Sequence, residues 1–165
     1  MADSIETPIG TVTAEHFRPG SIRHRVFVGP KFLYALFTPN DRMHAVSRAF
    51  MQFVRDGTLP YRRLVVNEHV VDEAATRLKK QASIRNAKTF LQTLDESSLY
   101  RLEAVPEHVF EDAMETFCEW TDLDASLTDF TVATHMSALD LDHILTYDRH
   151  FQAFDITSLP YRNTG

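Results

Sequence analysis

SLTDFTVATHMSALDLDHILTYDRHF, residues 126–151, decides how the chain is read. Leu127, Phe130, Ala133, Met136 and Leu139 recur close to a helical period and give one apolar face. Ser126 is a suitable N-cap, and Asp129 three positions later completes a capping-box pattern. An acid in the first turn also suits the helix dipole, by about 0.3–1 kcal/mol. Ile144-Leu145-Thr146-Tyr147 then reads as a buried strand, with Asp148 just beyond it. Each acid has an ordinary structural use, Asp129 as a cap and Asp148 in a turn. The pair says more than either member, because ligands of open parallel sheets bind beyond the carboxyl ends of the strands.

The rest of the chain repeats this alternation. Val26-Phe27-Val28 reads as a strand, followed by a helix opening at Lys31 and broken at Pro39-Asn40-Asp41. Met43, Val46, Phe50, Phe53 and Val54 line a second helix, closed by Gly57 and Pro60. Leu64-Val65-Val66 is the next strand. Asn67 caps a helix that turns Val70, Val71, Ala74 and Leu78 inward and carries Glu73 on the border of that face. Ile84, Ala87, Leu91 and Leu94 give the following helix its core side. A strand within Leu99–Val105 follows, and Pro106 opens a helix whose stripe Val109, Phe110, Ala113, Met114, Phe117 and Cys118 reads as core. A last edge strand is expected within Phe154–Leu159. Strands alternating with helices mean an α/β fold with a central parallel sheet of four to five strands. Residues 1 to about 22 are polar and broken by Pro8, Gly10, Pro19 and Gly20, so they read as a flexible or loosely docked extension to a domain over 23–165.

Composition sets limits. At 165 residues and 44% hydrophobic, the chain suits one domain with a full core. A net charge of −6 excludes a broadly basic nucleic-acid coat but leaves room for a local basic groove. Arg77, Lys79, Lys80, Arg85 and Lys88 run without an intervening acid and form a candidate phosphate-contacting face, at even odds with a solvated one. Cys118 is the sole cysteine, so there is no disulfide framework; a reducing, cytoplasmic setting is expected. No run is long enough for a membrane span, and the N-terminus lacks a signal-peptide layout.

Glu73, Asp129 and Asp148 all fall on the expected ligand edge. Three carboxylates brought together repel and raise one another's pKa, and a hard cation relieves that. Mg²⁺ or Mn²⁺ held by carboxylates can activate water and neutralise a phosphodiester, which is nuclease chemistry. The eight histidines are scattered, with no zinc-type spacing, and no nucleophile elbow or Walker loop is present.

Three stretches, VFVGPKFLYALF, NEHVVDEAATRL and SLTDFTVATHMSALDLDHILTYDRHF, resemble PIN-domain proteins, including the VapC-type toxins of toxin–antitoxin systems, over about residues 26–159. The resemblance implies a three-layer α/β/α fold and a Mg²⁺- or Mn²⁺-dependent ribonuclease, with the metal on acids matching Glu73, Asp129 and Asp148. It also implies RNA as substrate, a VapB-like antitoxin as partner, and pairing into a homodimer, for which the Phe50/Phe53 helix offers a face. One position departs from the family pattern. The family's first acid follows the first strand, where this chain has Gly29, then Pro30 and Lys31. The implied site is therefore degenerate and its metal weakly held or absent, with Lys31 standing in for part of the missing charge. Two readings stay open: a weakened metal-dependent endoribonuclease, and a non-catalytic PIN-fold protein that binds RNA or a protein partner.

Overall fold

In the computed structural model, which describes residues 3–21 and 23–161, the apolar runs picked out above become the middle of one sheet. The strands are β1 (Ser4–Thr7), β2 (Gly10–Thr13), β3 (Arg25–Val28), β4 (Arg63–Val66), β5 (Tyr100–Leu102), β6 (His143–Leu145) and β7 (Thr157–Leu159). The helices are α1 (Pro30–Leu36), α2 (His44–Arg55), α3 (Glu68–Arg77), α4 (Ile84–Glu96), α5 (Glu107–Glu119) and α6 (Leu127–Ala138). The main sheet has the order β5-β4-β3-β6-β7, and every neighbouring pair is parallel. Val26–Val28, Leu64–Val66 and Ile144–Leu145 are almost wholly excluded from solvent. Strands buried on both faces need helices on both faces, which is the three-layer α/β/α arrangement.

The order places β3 between β4 and β6, so three parallel strands deliver their carboxyl ends side by side. Each end leads into an element that matters below. Gly29 follows β3 and is the N-cap of α1, where Pro30 takes the first position. Asn67 follows β4 and caps α3, its side chain accepting from the Val70 N–H at 3.0 Å. Asp148 lies three residues past β6. The edge strand expected within Phe154–Leu159 is β7, paired in parallel with β6.

Four expectations are corrected. The extension over 1 to about 22, read as flexible or loosely docked, is across the described residues a hairpin followed by a turn that docks in the core. Gly10, at φ +124°, lets β1 turn into β2. A helical turn over Ala14–Phe17 then drives Phe17 fully into the core, edge-on to Phe50 with centroids 5.1 Å apart. The Tyr61 hydroxyl donates to the Phe17 carbonyl at 2.7 Å. Residues 1, 2 and 22 of that stretch, and 162–165 of the expected domain, lie outside the described residues.

The α5 stripe is only half core. Val109 and Ala113 are buried, whereas Met114, Phe117 and Cys118 are exposed, because α5 is an outer helix resting on α6. Helix α4 is likewise rotated from its expected setting: Ala87 and Phe90 face in, while Ile84 and Leu91 are exposed. Finally, Phe50 and Phe53 cannot supply a dimer face, since both are completely enclosed. Phe50 packs against Phe17, Phe32 and Tyr61.

Because Phe17 fills a closed core position, Phe17→Ala should lower unfolding stability by about 3–5 kcal/mol in urea titration. A loss under about 0.5 kcal/mol, the size typical of surface changes, would mean that the N-terminal segment is not docked.

Candidate metal centre

The capping box read from the sequence is present at the start of α6. The Asp129 N–H donates to Ser126 Oγ at 3.1 Å, and the Ser126 N–H donates to Asp129 Oδ2 at 3.0 Å. This pair of hydrogen bonds fixes the carboxylate, which is buried yet still faces a cavity. Asp148 is fixed by its own turn. Its N–H donates to Thr146 Oγ1 at 3.0 Å, and its Oδ1 accepts the His150 N–H at 3.2 Å. Glu73, one turn and a half into α3, is half-buried and pairs with Arg77 at 3.5 Å.

The three acids meet. Glu73, Asp129 and Asp148 line one cavity of about 360 Å³ together with Lys31, Arg77, Asp124, Ser126, Thr146 and His150. Lys31 Nζ lies 3.0 Å from Asp148 Oδ2. His150 Nδ1 lies 2.9 Å from Asp148 Oδ1 and 3.3 Å from Asp129 Oδ2. Gly29 does not line the cavity itself but is buried directly before Pro30 and Lys31, which do, and its N–H donates to the Leu145 carbonyl at 2.8 Å. A Cβ there would come within 3.3 Å of that same carbonyl oxygen and 3.4 Å of the Thr146 side chain.

The proposed phosphate-contacting residues separate. Arg77 lines the acid cavity, and Lys80 lines a depression beside it that shares Glu73 and Arg77. Lys79 and Lys88 are exposed. Arg85 instead lines a larger cavity, about 810 Å³, among Phe37, Arg48, Met51 and Tyr100. That cavity is greater in volume but is lined by no acid, whereas four carboxylates line the smaller one.

Reading the sequence for acids missed His150 and Asp124. His150 is one of the eight histidines that the spacing argument sets aside as scattered. Its position two after Asp148, in a tight turn, was the available signal, since such a residue folds back onto the side chain that forms the turn.

Electrostatics follow the geometry. Burial pushes the Glu73 carboxyl above its ordinary value; Arg77 opposes this, Asp129 and Asp148 add to it, and Lys31 opposes it again. Burial also acts to raise Asp148. It is outweighed by the Lys31 hydrogen bond, the His150 N–H and the charges of both groups, so Asp148 lies below the usual carboxylate value. Four carboxylates line the cavity against two permanently charged cations, Lys31 and Arg77. The surplus of two negative charges and the oxygen-rich lining fit one divalent ion.

No protein-family model matches the sequence, and no curated protein matches it either. Solved structures do. The crystal structure of Mycobacterium tuberculosis VapC20, a sarcin-ricin loop cleaving toxin, superposes with a TM-score of 0.71 at 22% identity, covering 80% of this chain and 96% of that one. The chain has a VapC-like PIN fold. VapBC2 from Rickettsia felis, bound to a promoter DNA fragment, gives 0.58 at 10% identity, over 81% of this chain and 96% of that one. FitAcB from Neisseria gonorrhoeae gives 0.56 at 13%, over 82% and 97%. Among the described residues, no helix of this PIN-like chain is long and apolar enough to cross a membrane.

The raised Glu73 value has a testable sign. The folded state holds that proton more tightly than the unfolded one, so stability falls as pH rises from the ordinary Glu value, about 4.3, through the folded one. In metal-free buffer, Glu73→Gln should melt above the native chain near neutral pH. The gap should close as pH falls towards about 4. A difference that does not change with pH would contradict the assignment.

Proposed function

We propose that this protein is a metal-dependent endoribonuclease of the VapC type, with a weakened active site. The observation carrying this reading is the meeting of Glu73, Asp129 and Asp148 in one negatively charged cavity at the carboxyl edge of β3, β4 and β6. In this reading the three acids hold Mg²⁺ or Mn²⁺. When bound, the ion supplies an activated water and neutralises charge on the scissile phosphodiester. The chain's own residues do the rest. The Ser126 cap keeps Asp129 aimed into the cavity, and the Thr146 turn does the same for Asp148. Arg77 and Lys80, at the cavity and beside it, would contact the RNA backbone in this reading. Lys79, Arg85 and Lys88 are assigned weaker, more distant contacts.

Gly29 makes the site degenerate in this reading. It has no side-chain oxygen where PIN nucleases place their first acid, and the chain puts the Lys31 ammonium on Asp148 instead. That ion pair also motivates the second reading, a non-catalytic protein that binds RNA or a partner. A VapB-like antitoxin is the proposed partner, since the VapBC2 structure is of a complex bound to promoter DNA. A homodimer would use a surface other than Phe50 and Phe53; the open α5 residues Met114 and Phe117 are available.

The test is cleavage of single-stranded RNA with Mn²⁺ or Mg²⁺. Native activity should fall by about 100-fold or more in Asp129→Asn, because the ion's charge stabilisation is lost. Gly29→Asp should raise activity, provided its melting point shows that the close Leu145 carbonyl is accommodated. Cleavage by Gly29→Asp with none by the native chain would establish the binding protein instead.

A further inference from the structure

We propose that His150 is a protein ligand of the metal ion, its Nδ1 completing with Asp129 and Asp148 a mixed nitrogen–oxygen centre. This rests on the reading of the cavity as a metal site and adds a donor of a different kind to it.

The geometry is that of three donors round one ion. One ligand atom each from Asp129, Asp148 and His150 lies within 4.8 Å of the other two. Donors bound side by side at about 2.0–2.2 Å from an octahedral ion stand about 3 Å from one another. His150 Nδ1 stands 2.9 Å from Asp148 Oδ1 and 3.3 Å from Asp129 Oδ2, so an ion needs little rearrangement to enter. The same closeness serves the metal-free chain, where the imidazole N–H donates to the carboxylates. Ion binding moves the ring proton to Nε2 and leaves the Nδ1 lone pair for the metal.

The site also lacks oxygen donors that other side chains have claimed. Lys31 occupies Asp148 Oδ2, so Asp148 offers the ion Oδ1 alone. Arg77 draws on Glu73 Oε1. Gly29 contributes no side chain, and a Cβ there would meet Leu145 and Thr146. An imidazole already facing the remaining two carboxylates fills that deficit. His150 is held for the task by its backbone, since its N–H bonds Asp148 Oδ1 at the head of the short helical turn His150–Phe154.

The donor set predicts which ion is preferred. Mg²⁺ favours oxygen and retained water, whereas imidazole suits later, softer divalent ions. Co²⁺ and Zn²⁺ should therefore bind more tightly than Mn²⁺, and Mn²⁺ more tightly than Mg²⁺.

The experiment uses the full chain and Mn²⁺ alone, without RNA. Pulsed electron paramagnetic resonance of the native Mn²⁺ complex should show modulation from a directly bound imidazole nitrogen, absent in His150→Ala. Calorimetry should show Mn²⁺ affinity falling by about ten-fold or more in His150→Ala, with Mg²⁺ affinity much less affected. His150→Gln, checked by circular dichroism, repeats the comparison with a bulkier side chain. Bound Mn²⁺ without nitrogen modulation in the native protein overturns this inference and leaves the carboxylate centre standing. No Mn²⁺ binding by the native protein overturns both.

Discussion

The Lys31 ammonium lies 3.0 Å from Asp148, at the meeting point of three strand ends where negative charge is concentrated. Like charges at such short range must be balanced from within the chain, by an ion, or by holding a proton. This chain uses the first means only in part. Lys31 holds Asp148, Arg77 leans on Glu73, and Asp129 has the Ser126 N–H at the start of α6 and the His150 ring beside it. What remains unbalanced is the size of charge that a divalent cation or a phosphate-bound cation brings.

The scaffold exists to hold that edge still. Val26–Val28 and Leu64–Val66 have no freedom to slide, because both faces of the sheet are packed. The hydrogen bond from Gly29 to Leu145 locks β3 against β6 at the point where the chain leaves the sheet. The same tight approach explains why a side chain at position 29 meets resistance, so the position's composition and the strand packing are coupled. The N-terminal hairpin extends this core by inserting Phe17 beside Phe50.

Much of this was legible in the sequence because local pattern and tertiary role agree. The capping box at Ser126 and Asp129, the Asn67 cap and the order of strands and helices all come from short-range signals. The errors share a cause. Helical periodicity shows that a face is apolar, not how much of it a neighbour covers, so Met114, Phe117 and Cys118 were read as core. In the N-terminal segment, Pro and Gly suggested a loose chain, yet they make the turn that lets Phe17 reach a distant partner. His150 was hidden for a different reason. Its meaning depends on a carboxylate 21 residues earlier in α6, a proximity that only the folded chain reveals.

Trp120 is the chain's single tryptophan, and its indole lies nearly parallel to Phe154, with centroids 5.3 Å apart. Phe154 ends the helical turn that His150 begins. The molecule thus carries one indole, half open to water, stacked on the segment that borders the acids and excitable apart from the five tyrosines. A shift of that turn alters the indole's surroundings, so light emission from the unlabelled protein reports events in the cavity without any dye.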